Sequence, residues 1–481
     1  MTAVHDTTHD TPAAGAFAQA PALERALVDH IAGTGFADLP DAAVEAARSA
    51  LLWFLATAVA GSGAPGSDAI AAYAADLGGS GDAPILGTGT TTSPEAAAFA
   101  NAAFAKAHEW EDKYWLSPGG GYAMGYAVVA AALGAAERAA GADGRTLLTA
   151  VALATDVQAR MLEAAVVADP LTLSPTRTPW NPTYLFSNYG AAVAAGKVAG
   201  LDRDQLVNAL GLTHAQACGN FQGQMEGVLG IRLQAGFVVR NGLTAVGLAQ
   251  RGIDGARQFI SGKHGFYDLH FPGAQVDLDR LVRDLGRELL GARLGFKAYP
   301  CGVVAHPVLD AARAVRDAVD LTRVARIRVY GTRSLHIMSE PIDAKRDPVS
   351  PIQAQFSLPW VVACVLRDGD LRLDHLRPEA LNGEDLRRLA QHVEVVMEAD
   401  RSGVVLEVVD SAGRTTTSDE VTAGKGHPDN PLTREDMIAV YHQGLRHAAR
   451  PIPADMAAAA LAMVLDADSV DDVRELARRL G

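Results

Sequence analysis

The sequence is poor in cysteine, and its few cysteines lie far apart. Only Cys218, Cys301 and Cys364 occur among the 481 residues, and no two form a CxxC pair. This spacing excludes a disulfide framework and a cysteine-rich zinc site, and it fits a reducing cytoplasm. The 14 histidines never stand at a tight metal-ligand spacing with Asp or Glu. We therefore expect neither a metal centre nor a secreted disulfide scaffold.

The sequence also lacks a membrane-spanning run, a secretory signal and an excess of positive charge. Its longest apolar run, at residues 122–136, is rich in Gly and Ala and too short to span a bilayer. Residues 1–21 have no basic start and no apolar core, so we expect a disordered tail rather than a signal peptide. The net charge of -14 argues against nucleic acid or an anionic membrane as the main partner. An anionic small molecule remains possible, because a local basic pocket fits inside an acidic protein.

Common cofactor motifs are missing as well. No GxGxxG follows a strand, and GxxxxGK[ST], HExxH and GxSxG do not occur. We accordingly expect no nucleotide or zinc chemistry of those types, and no cofactor.

Most of the chain instead shows apolar residues at helical spacing. Its length exceeds what one hydrophobic core usually supports, and 49% hydrophobic with 20% charged residues is a globular composition. From residue 22 to about 284 the apolar residues recur at helical period, and we expect no strand before about residue 290. The predicted helices include residues 42–61, 123–140, 144–168, 189–199, 206–212 and 233–251.

The pattern changes in the last third of the chain. Residues 324–330, 392–399 and 404–409 alternate as half-buried strands do, and Ser411 to Arg414 forms a good hairpin turn. Helical segments at 303–319 and 351–367 interleave with them, and helical pattern resumes after residue 428. We therefore predict a mainly α protein. Its large helical domain spans residues 22–286 and 424–481, and a smaller α+β lid domain is inserted at residues 287–423.

One segment concentrates charge in an unusual way. Residues 106–113 read Lys-Ala-His-Glu-Trp-Glu-Asp-Lys and precede a glycine run at residues 119–121. The functional interpretation is a pocket wall with Glu109 or Lys113 as acid/base, and with glycines that let backbone approach a ligand. The alternative is a charged helix end with a glycine-rich cap.

Three further segments are candidates for ligand binding. A rigid proline-rich loop at residues 175–184 carries Arg177 and Asn181 ahead of a helix, where backbone N–H groups favour anions, although such loops are more often structural. Arg232 stands in an apolar stretch, either paired to a carboxylate or available to an anion. Lys297 lies at the predicted domain boundary, where it could be a base or a carboxylate anchor. For His306 a hydrogen-bonded helix-start role is favoured over catalysis.

Four strings resemble the MmgE/PrpD family. They are residues 101–113; Phe296-Lys-Ala-Tyr-Pro-Cys-Gly with His306-Pro; Gln353-Ala-Gln-Phe-Ser-Leu-Pro-Trp360 with Asp368-Gly369; and Gly426-His-Pro-Asp-Asn-Pro-Leu432. The resemblance covers about residues 22–480. It implies a helical domain with a smaller lid, a homodimer, a pocket between the domains and chemistry without metal or organic cofactor. The family includes dehydratases, decarboxylases and an epimerase that move a proton next to a carboxylate.

The sequence departs from the family pattern at most pocket positions. The acidic position of the family is Glu109 in this chain, and its Thr position is Lys113. Of the two family histidines, one position falls within residues 119–121 and the other on Asn181. A family Lys position falls on Ile231 beside Arg232 and a Tyr position on Trp360, so only the Lys at Lys297 is unchanged. Two interpretations follow. Lys113 and Glu109 replace the histidines, or the pocket takes a bulkier substrate lined by Trp110, Trp115, Trp180 and Trp360.

The resulting prediction is a cofactor-independent lyase for a small carboxylate substrate. Lys297, Glu109 and Lys113 are its candidate catalytic residues, and the candidate substrate-binding residues are Asn181, Arg232, Arg177, Trp360, Tyr299 and Trp110. The alternatives are an epimerase of the same family and a non-catalytic binding protein.

Overall fold

The first two-thirds of the protein is built from helices, as predicted. The computed structural model describes residues 15–116, 120–139, 141–166, 172–174, 177–398 and 400–481. The helices of this part are α1 Ala16–Gln19, α2 Ala22–Gly33, α3 Asp41–Gly61, α4 Ser67–Gly78, α5 Pro94–Ala105, α6 Gly125–Arg138, α7 Gly144–Val166, α8 Pro182–Val198, α9 Arg203–His214, α10 Gln222–Glu226, α11 Gly230–Ala249 and α12 Phe266–His270.

Helix α8 lies at the centre of this part, packed against α6, α7 and α11. Nearly all of its side chains are buried, so it is apolar around its whole circumference rather than along one stripe. Small residues allow the close approach: a Cβ added at Gly242 of α11 would lie 2.8 Å from the Cβ of Ala191 in α8. Helix α3 is long and apolar enough to cross a membrane by composition, but 67% of its apolar window is buried inside the protein.

Short strands also occur in this part, and here the expectation of no strand before residue 290 was wrong. Strand β1 Ala83–Ile85 pairs with β2 Thr90–Thr92, and β3 Asp112–Leu116 pairs with β4 Gly120–Tyr122. The other edge of β3 pairs antiparallel with β5 Leu294–Phe296, which is distant in sequence. These strands have only three to five residues each, too few to give an alternating hydrophobic pattern.

The α+β segment follows, and its strands lie close to the predicted positions. Strands β6 Val324–Gly331, β7 Val393–Met397, β8 Val405–Asp410 and β9 Thr415–Thr417 form a sheet in the order β7-β6-β8-β9, with β6 and β7 parallel. The helices of this segment are α13 His306–Val315, α14 His336–Ser339, α15 Ile342–Arg346, α16 Pro351–Gln355, α17 Leu358–Asp368, α18 Pro378–Leu381 and α19 Glu384–Gln391.

The single helix predicted at residues 351–367 is two helices. Ser357 accepts a hydrogen bond from the backbone N–H of Trp360 at 3.0 Å, and Pro359 occupies the first turn of α17. An N-cap serine followed by an early proline starts a new helix, so the chain breaks after α16.

The C-terminal helices pack back against the helical part. Helices α20 Arg434–Leu445, α21 Ala454–Leu465 and α22 Arg474–Leu480 complete the fold, and α20 packs against α3. Near the start, the expected tail lies outside the described residues up to residue 14. Residues 16–19 of that stretch form α1, where the Phe17 backbone N–H donates to Asp204 at 2.7 Å.

Candidate active site beside strands β3 and β5

Pairing of β3 with β5 brings two distant charged segments together. In this antiparallel register Lys113 lies opposite Gly295 and Asp112 opposite Phe296. Lys297 directly follows β5, and Glu111 directly precedes β3. Residues separated by more than 180 positions in the chain therefore share one site.

The Glu111 carboxylate is the centre of that site. Its Oε1 forms ion pairs with the Nζ atoms of Lys106, Lys113 and Lys297 at 2.7, 3.0 and 3.2 Å. Its Oε2 is buried without a hydrogen-bond partner among the described residues. With Glu109, the cluster holds three ammonium groups against two carboxylates and carries one excess positive charge when all five groups are ionised.

Lys297 is held by Glu109 as well as by Glu111. Its Nζ donates to the Glu109 backbone carbonyl at 2.8 Å and to the Glu109 Oε2 at 3.0 Å, so all three of its N–H groups have acceptors. Glu109 adopts a φ of 50°, in the left-handed region that non-glycine residues rarely occupy. Such a conformation costs of order 1–3 kcal/mol and is concentrated at functional sites. In this conformation both the backbone carbonyl and the carboxylate of Glu109 accept hydrogen bonds from the Lys297 ammonium.

The two lysines on either side of Glu111 differ in acidity. Burial lowers the pKa of Lys113 to about 8; Glu111 opposes this shift, and Lys297 and Lys106 reinforce it. Burial also acts on Lys106, but Glu109 and Glu111 outweigh it and hold the Lys106 pKa well above its ordinary value. Among the described residues only Glu111 pairs with Lys113, which leaves two N–H groups of Lys113 available. Lys113 is therefore the lysine that can exchange a proton near neutral pH.

The two carboxylates remain ionised. Burial raises the pKa of Glu111, but Lys106, Lys297 and Lys113 more than reverse this and place it well below its usual range. For Glu109, burial and Glu111 raise the pKa and the same three lysines lower it, with a net lowering. Both carboxylates are therefore deprotonated at neutral pH and act as fixed negative charges.

These side chains line a cavity of about 210 Å³, which we call the lysine chamber. Its walls come from the helical part and from the α+β segment, and they include Lys106, Glu109, Glu111, Lys113, Gly121, Asn181, Tyr184, Lys297, Val304 and Met338. Asn181 N-caps α8 by accepting from the Thr183 N–H at 3.1 Å, and its Nδ2 donates to Gln224 at 3.1 Å. Gly120 and Gly121 are the described part of the glycine run that was predicted to admit a ligand, and Gly121 lines the chamber. Gly119 lies outside the described residues.

A second cavity of about 570 Å³, the arginine chamber, adjoins the first. Its lining includes Ala64, His108, Ile231, Arg232, Ile352, Leu373, Leu376, Arg377 and His447. Four residues line both chambers: Lys106, Glu109, Gln224 and Phe356. Arg232 thus lines the arginine chamber, whereas Lys113 and Lys297 line only the lysine chamber and Glu109 lines both.

Four other predicted site residues line neither chamber. Trp360 is buried in α17, where its Nε1 donates to the His375 carbonyl at 3.1 Å. The Tyr299 hydroxyl donates to Asp310 at 2.7 Å. Trp110 packs edge-on against Trp53 in the core, and Arg177 is exposed.

The four tryptophans considered as a pocket lining lie outside both chambers. Among the described residues, no tryptophan lines either chamber. Trp115 instead packs against His427, with ring centroids 5.1 Å apart, and Trp180 packs against His270 at 4.8 Å. Rings of this size fill space equally well in a core, so residue type alone did not distinguish the two roles.

Sequence reasoning missed Glu111 and Lys106 as members of the site. Of the cluster only Lys113 lies in β3, and Glu109 has left-handed backbone, so no strand periodicity marked these residues as one group. His306 behaves as the structural alternative predicted: it begins α13, and burial lowers its pKa to about 3.

Asp112 has a structural role beside the site. Its carboxylate accepts from the backbone N–H groups of Met124, Gly125 and Tyr126 at 3.0, 2.7 and 3.2 Å. These are unpaired donors at the start of α6, where negative charge is favourable. Within the described residues, no group of three or more His, Cys, Asp or Glu side chains is arranged to hold a metal ion.

The protein is mainly helical, and its lysine-rich cavity is bordered by an α+β segment. Comparison with known proteins identifies the family. Residues 25–279 match the MmgE/PrpD N-terminal domain and residues 299–459 match the MmgE/PrpD C-terminal domain. The chain belongs to the MmgE/PrpD family.

Its curated relatives are distant in sequence. The chain is 26% identical over 432 residues to a cis-aconitate decarboxylase-like protein of Aspergillus oryzae, covering 83% of this chain and 86% of that protein. It is 25% identical over 348 residues to cis-aconitate decarboxylase of Aspergillus terreus, covering 69% of each. The cis-aconitate decarboxylase of Mus musculus is 24% identical over 357 residues, covering 70% of this chain and 68% of that protein. Family and relatives together support a lyase-type enzyme.

Proposed function

We propose that this protein is a cofactor-independent lyase that acts on a carboxylate-bearing small molecule through proton transfer next to a carboxylate. The observation that carries the proposal is the lysine chamber. Three ammonium groups surround Glu111 there, and the cluster has one excess positive charge. A substrate carboxylate would neutralise that charge in a site where burial strengthens electrostatic interactions.

Lys297 and Lys113 have different roles in this proposal. Lys297 keeps three acceptors on its three N–H groups, so it serves as a fixed positive charge that stabilises negative charge developing on the substrate. Lys113 has free N–H groups and a pKa near 8, so it carries the proton. Glu109 positions Lys297 through its carbonyl and its carboxylate.

Decarboxylation is the reaction we favour, because the similar relatives named above are decarboxylases or decarboxylase-like. The bond between the substrate carbon and one carboxylate breaks, carbon dioxide leaves, and the electron pair stays on the substrate. The Lys113 ammonium then donates a proton to carbon and regains one from water. Dehydration and epimerisation use the same proton carrier, but they yield water or an inverted centre instead of carbon dioxide.

Binding of acids by Lys297 variants tests the proposal. A panel of di- and tricarboxylates, including cis-aconitate, is titrated by calorimetry into wild type, Lys297→Met and the control Lys263→Met. Lys263 is exposed and lines neither chamber. We expect at least one acid to bind wild type and Lys263→Met but to bind Lys297→Met about 10- to 100-fold more weakly, because the variant removes the excess positive charge of the cluster. That factor corresponds to about 1.4–2.8 kcal/mol. Equal binding to Lys297→Met would remove the lysine chamber from the proposal.

Two further properties follow from the family resemblance and belong to the same proposal. We expect a homodimer, which light scattering on the purified protein tests. We also expect the protein to act in the cytoplasm, and a fluorescent fusion in the source cells would test that location.

A further inference from the structure

The arginine chamber is much larger than the lysine chamber, with which it shares four lining residues. Its volume of about 570 Å³ lies within the range of about 300–1,000 Å³ that is typical of pockets for drug-sized ligands. The lysine chamber, at about 210 Å³, lies below that range. A small acid that fills the lysine chamber would leave the larger space empty.

Most of the arginine chamber is apolar. Ala64 and Ile231 contribute from the helical part, and Ile352, Leu373 and Leu376 contribute from the α+β segment. Such walls bind hydrocarbon through burial of apolar surface, about 0.8 kcal/mol for each CH₂. The chamber therefore suits an aliphatic segment rather than a second compact polyacid.

Arg232 interrupts this apolar lining with an uncompensated charge. The residue is 4% exposed, its Nη2 donates to the Pro65 carbonyl, and its Nε has no hydrogen-bond partner among the described residues. Within those residues no carboxylate lies in ion-pair distance of its guanidinium, although Asp68 acts on it from further away. A buried guanidinium is expensive without an anionic partner, and the planar fork of arginine matches a carboxylate.

The charges around His108 have the same sign. Burial, with smaller contributions from His447, Arg232 and Arg377, lowers the pKa of His108 to about 4. Its Nε2 donates to the Ala60 carbonyl at 3.1 Å, so His108 is a neutral part of the wall. Glu109 and Glu379 also line this chamber, but Glu379 is exposed and Glu109 is paired with Lys297 and Lys106. The unpaired charge inside the chamber is therefore the positive charge of Arg232.

We propose that the two chambers bind the two ends of one elongated substrate. Its reacting carboxylate lies in the lysine chamber, an aliphatic segment passes the shared wall of Gln224 and Phe356, and a second acidic group pairs with Arg232. The substrate class is thus an acid with two acidic ends separated by an apolar chain. This inference rests on the proposed function, because the lysine chamber must bind the reacting end.

Simple linear acids provide the probes. Calorimetry compares succinate, straight-chain dicarboxylates of six to twelve carbons, and the monocarboxylates of the same lengths. For wild type we expect dicarboxylate affinity to rise with chain length by up to about fourfold per CH₂, which is the effect of burying about 0.8 kcal/mol. We expect the best dicarboxylate to bind about 10- to 100-fold more tightly than its monocarboxylate. Equal binding of all lengths would overturn the inference.

Variants of Arg232 test the distal end. In Arg232→Met we expect the affinity for the best dicarboxylate to fall to the affinity for its monocarboxylate, while the affinities for monocarboxylates and succinate stay unchanged. Arg232→Lys should retain part of the dicarboxylate affinity. Loss of succinate binding in Arg232→Met would overturn the separation of the two ends. Thermal unfolding of each variant checks that the fold is retained.

A filling variant tests the chamber itself. We expect Ile352→Trp to abolish the gain with chain length and to spare succinate. Val349→Trp is the matched control, because Val349 is exposed and lines neither chamber. A retained gain in Ile352→Trp would contradict the inference.

Lys297→Met separates this inference from the proposed function. Weakened binding of every acid by Lys297→Met supports a single ligand that spans both chambers. Long acids that bind through Arg232 but are indifferent to Lys297 would overturn it. If succinate and the other short acids bind in a Lys297-dependent way while length adds nothing, the proposed function stands and only the elongated substrate fails. If no acid, short or long, depends on Lys297, the proposed function fails as well.

Discussion

Replacing Lys113 by methionine should make the protein more stable and nearly inactive. Methionine keeps the unbranched stem of lysine and removes the charge. The remaining cluster is balanced, with Lys106 and Lys297 against Glu109 and Glu111. Loss of an acid/base group typically lowers turnover by about 10²- to 10⁴-fold, equivalent to about 3–5 kcal/mol in the barrier.

The stability gain follows from the lowered pKa of Lys113. Burial lowers it from the model-compound value of 10.5 to about 8. Each factor of ten in acid dissociation corresponds to about 1.36 kcal/mol, so keeping Lys113 protonated in the folded state costs about 3 kcal/mol. The penalty is fully present below pH 8. Between pH 8 and 10.5 the unfolded state binds more protons than the folded state, so wild-type stability rises with pH in that window.

Urea unfolding between pH 7 and 10.5 measures this effect. We expect Lys113→Met to exceed wild type by up to about 3 kcal/mol in free energy of unfolding at pH 7, with the difference falling toward zero near pH 10.5. Lys263→Met serves as the exposed control and should match wild type throughout. A variant less stable than wild type at pH 7, or one with wild-type turnover, would refute the assignment of Lys113 as a buried proton carrier.

Three further substitutions test other parts of the structure. Glu111→Gln removes the negative charge shared by three ammonium groups and should lower the free energy of unfolding in urea by about 3–5 kcal/mol. Because Glu111 raises the pKa of Lys113, the alkaline limb of the pH–rate profile should also move below pH 8 in this variant. An unmoved limb would contradict the coupling between Glu111 and Lys113. Asp112→Ala leaves three backbone donors unpaired at the start of α6 and should lower the free energy of unfolding by about 3 kcal/mol, whereas a neutral effect would show that water replaces the carboxylate. Asp156→Ala removes the carboxylate that accepts from the Nε of the buried Arg160 at 2.8 Å, and it should cost about 3–5 kcal/mol in free energy of unfolding. The exposed control is Asp343→Ala, and equal stability of the two variants would contradict a buried ion pair.

The sequence predicts most of this fold because the long helices and strands β6, β7 and β8 carry their own periodicity. Helix α3 and strand β6 begin within one residue of the predicted starts. Strand β3 escaped prediction for a physical reason. It is short, contains Asp112 and Lys113, and is stabilised by pairing with β5, which no local pattern reveals.

The candidate site was predictable only in part for the same reason. Lys297 and Lys113 could be singled out one by one, as charged residues in unusual settings. Their meeting on Glu111 depends on the β3–β5 pairing, and a buried carboxylate within a run of charges is indistinguishable from an exposed one in sequence. The separation of Arg232 into its own chamber is likewise a matter of tertiary packing.

Product analysis in deuterated solvent tests the central claim most directly. The protein is incubated in D₂O with cis-aconitate, short di- and tricarboxylates and the elongated acids, and evolved carbon dioxide and proton NMR spectra are recorded. If this protein is a lyase that protonates carbon through Lys113, at least one acid will release carbon dioxide and yield a product with one solvent deuteron, and Lys113→Met will suppress both. Lysine-dependent binding without carbon dioxide, water elimination or deuterium incorporation from any acid would contradict the account and make the protein a binding protein.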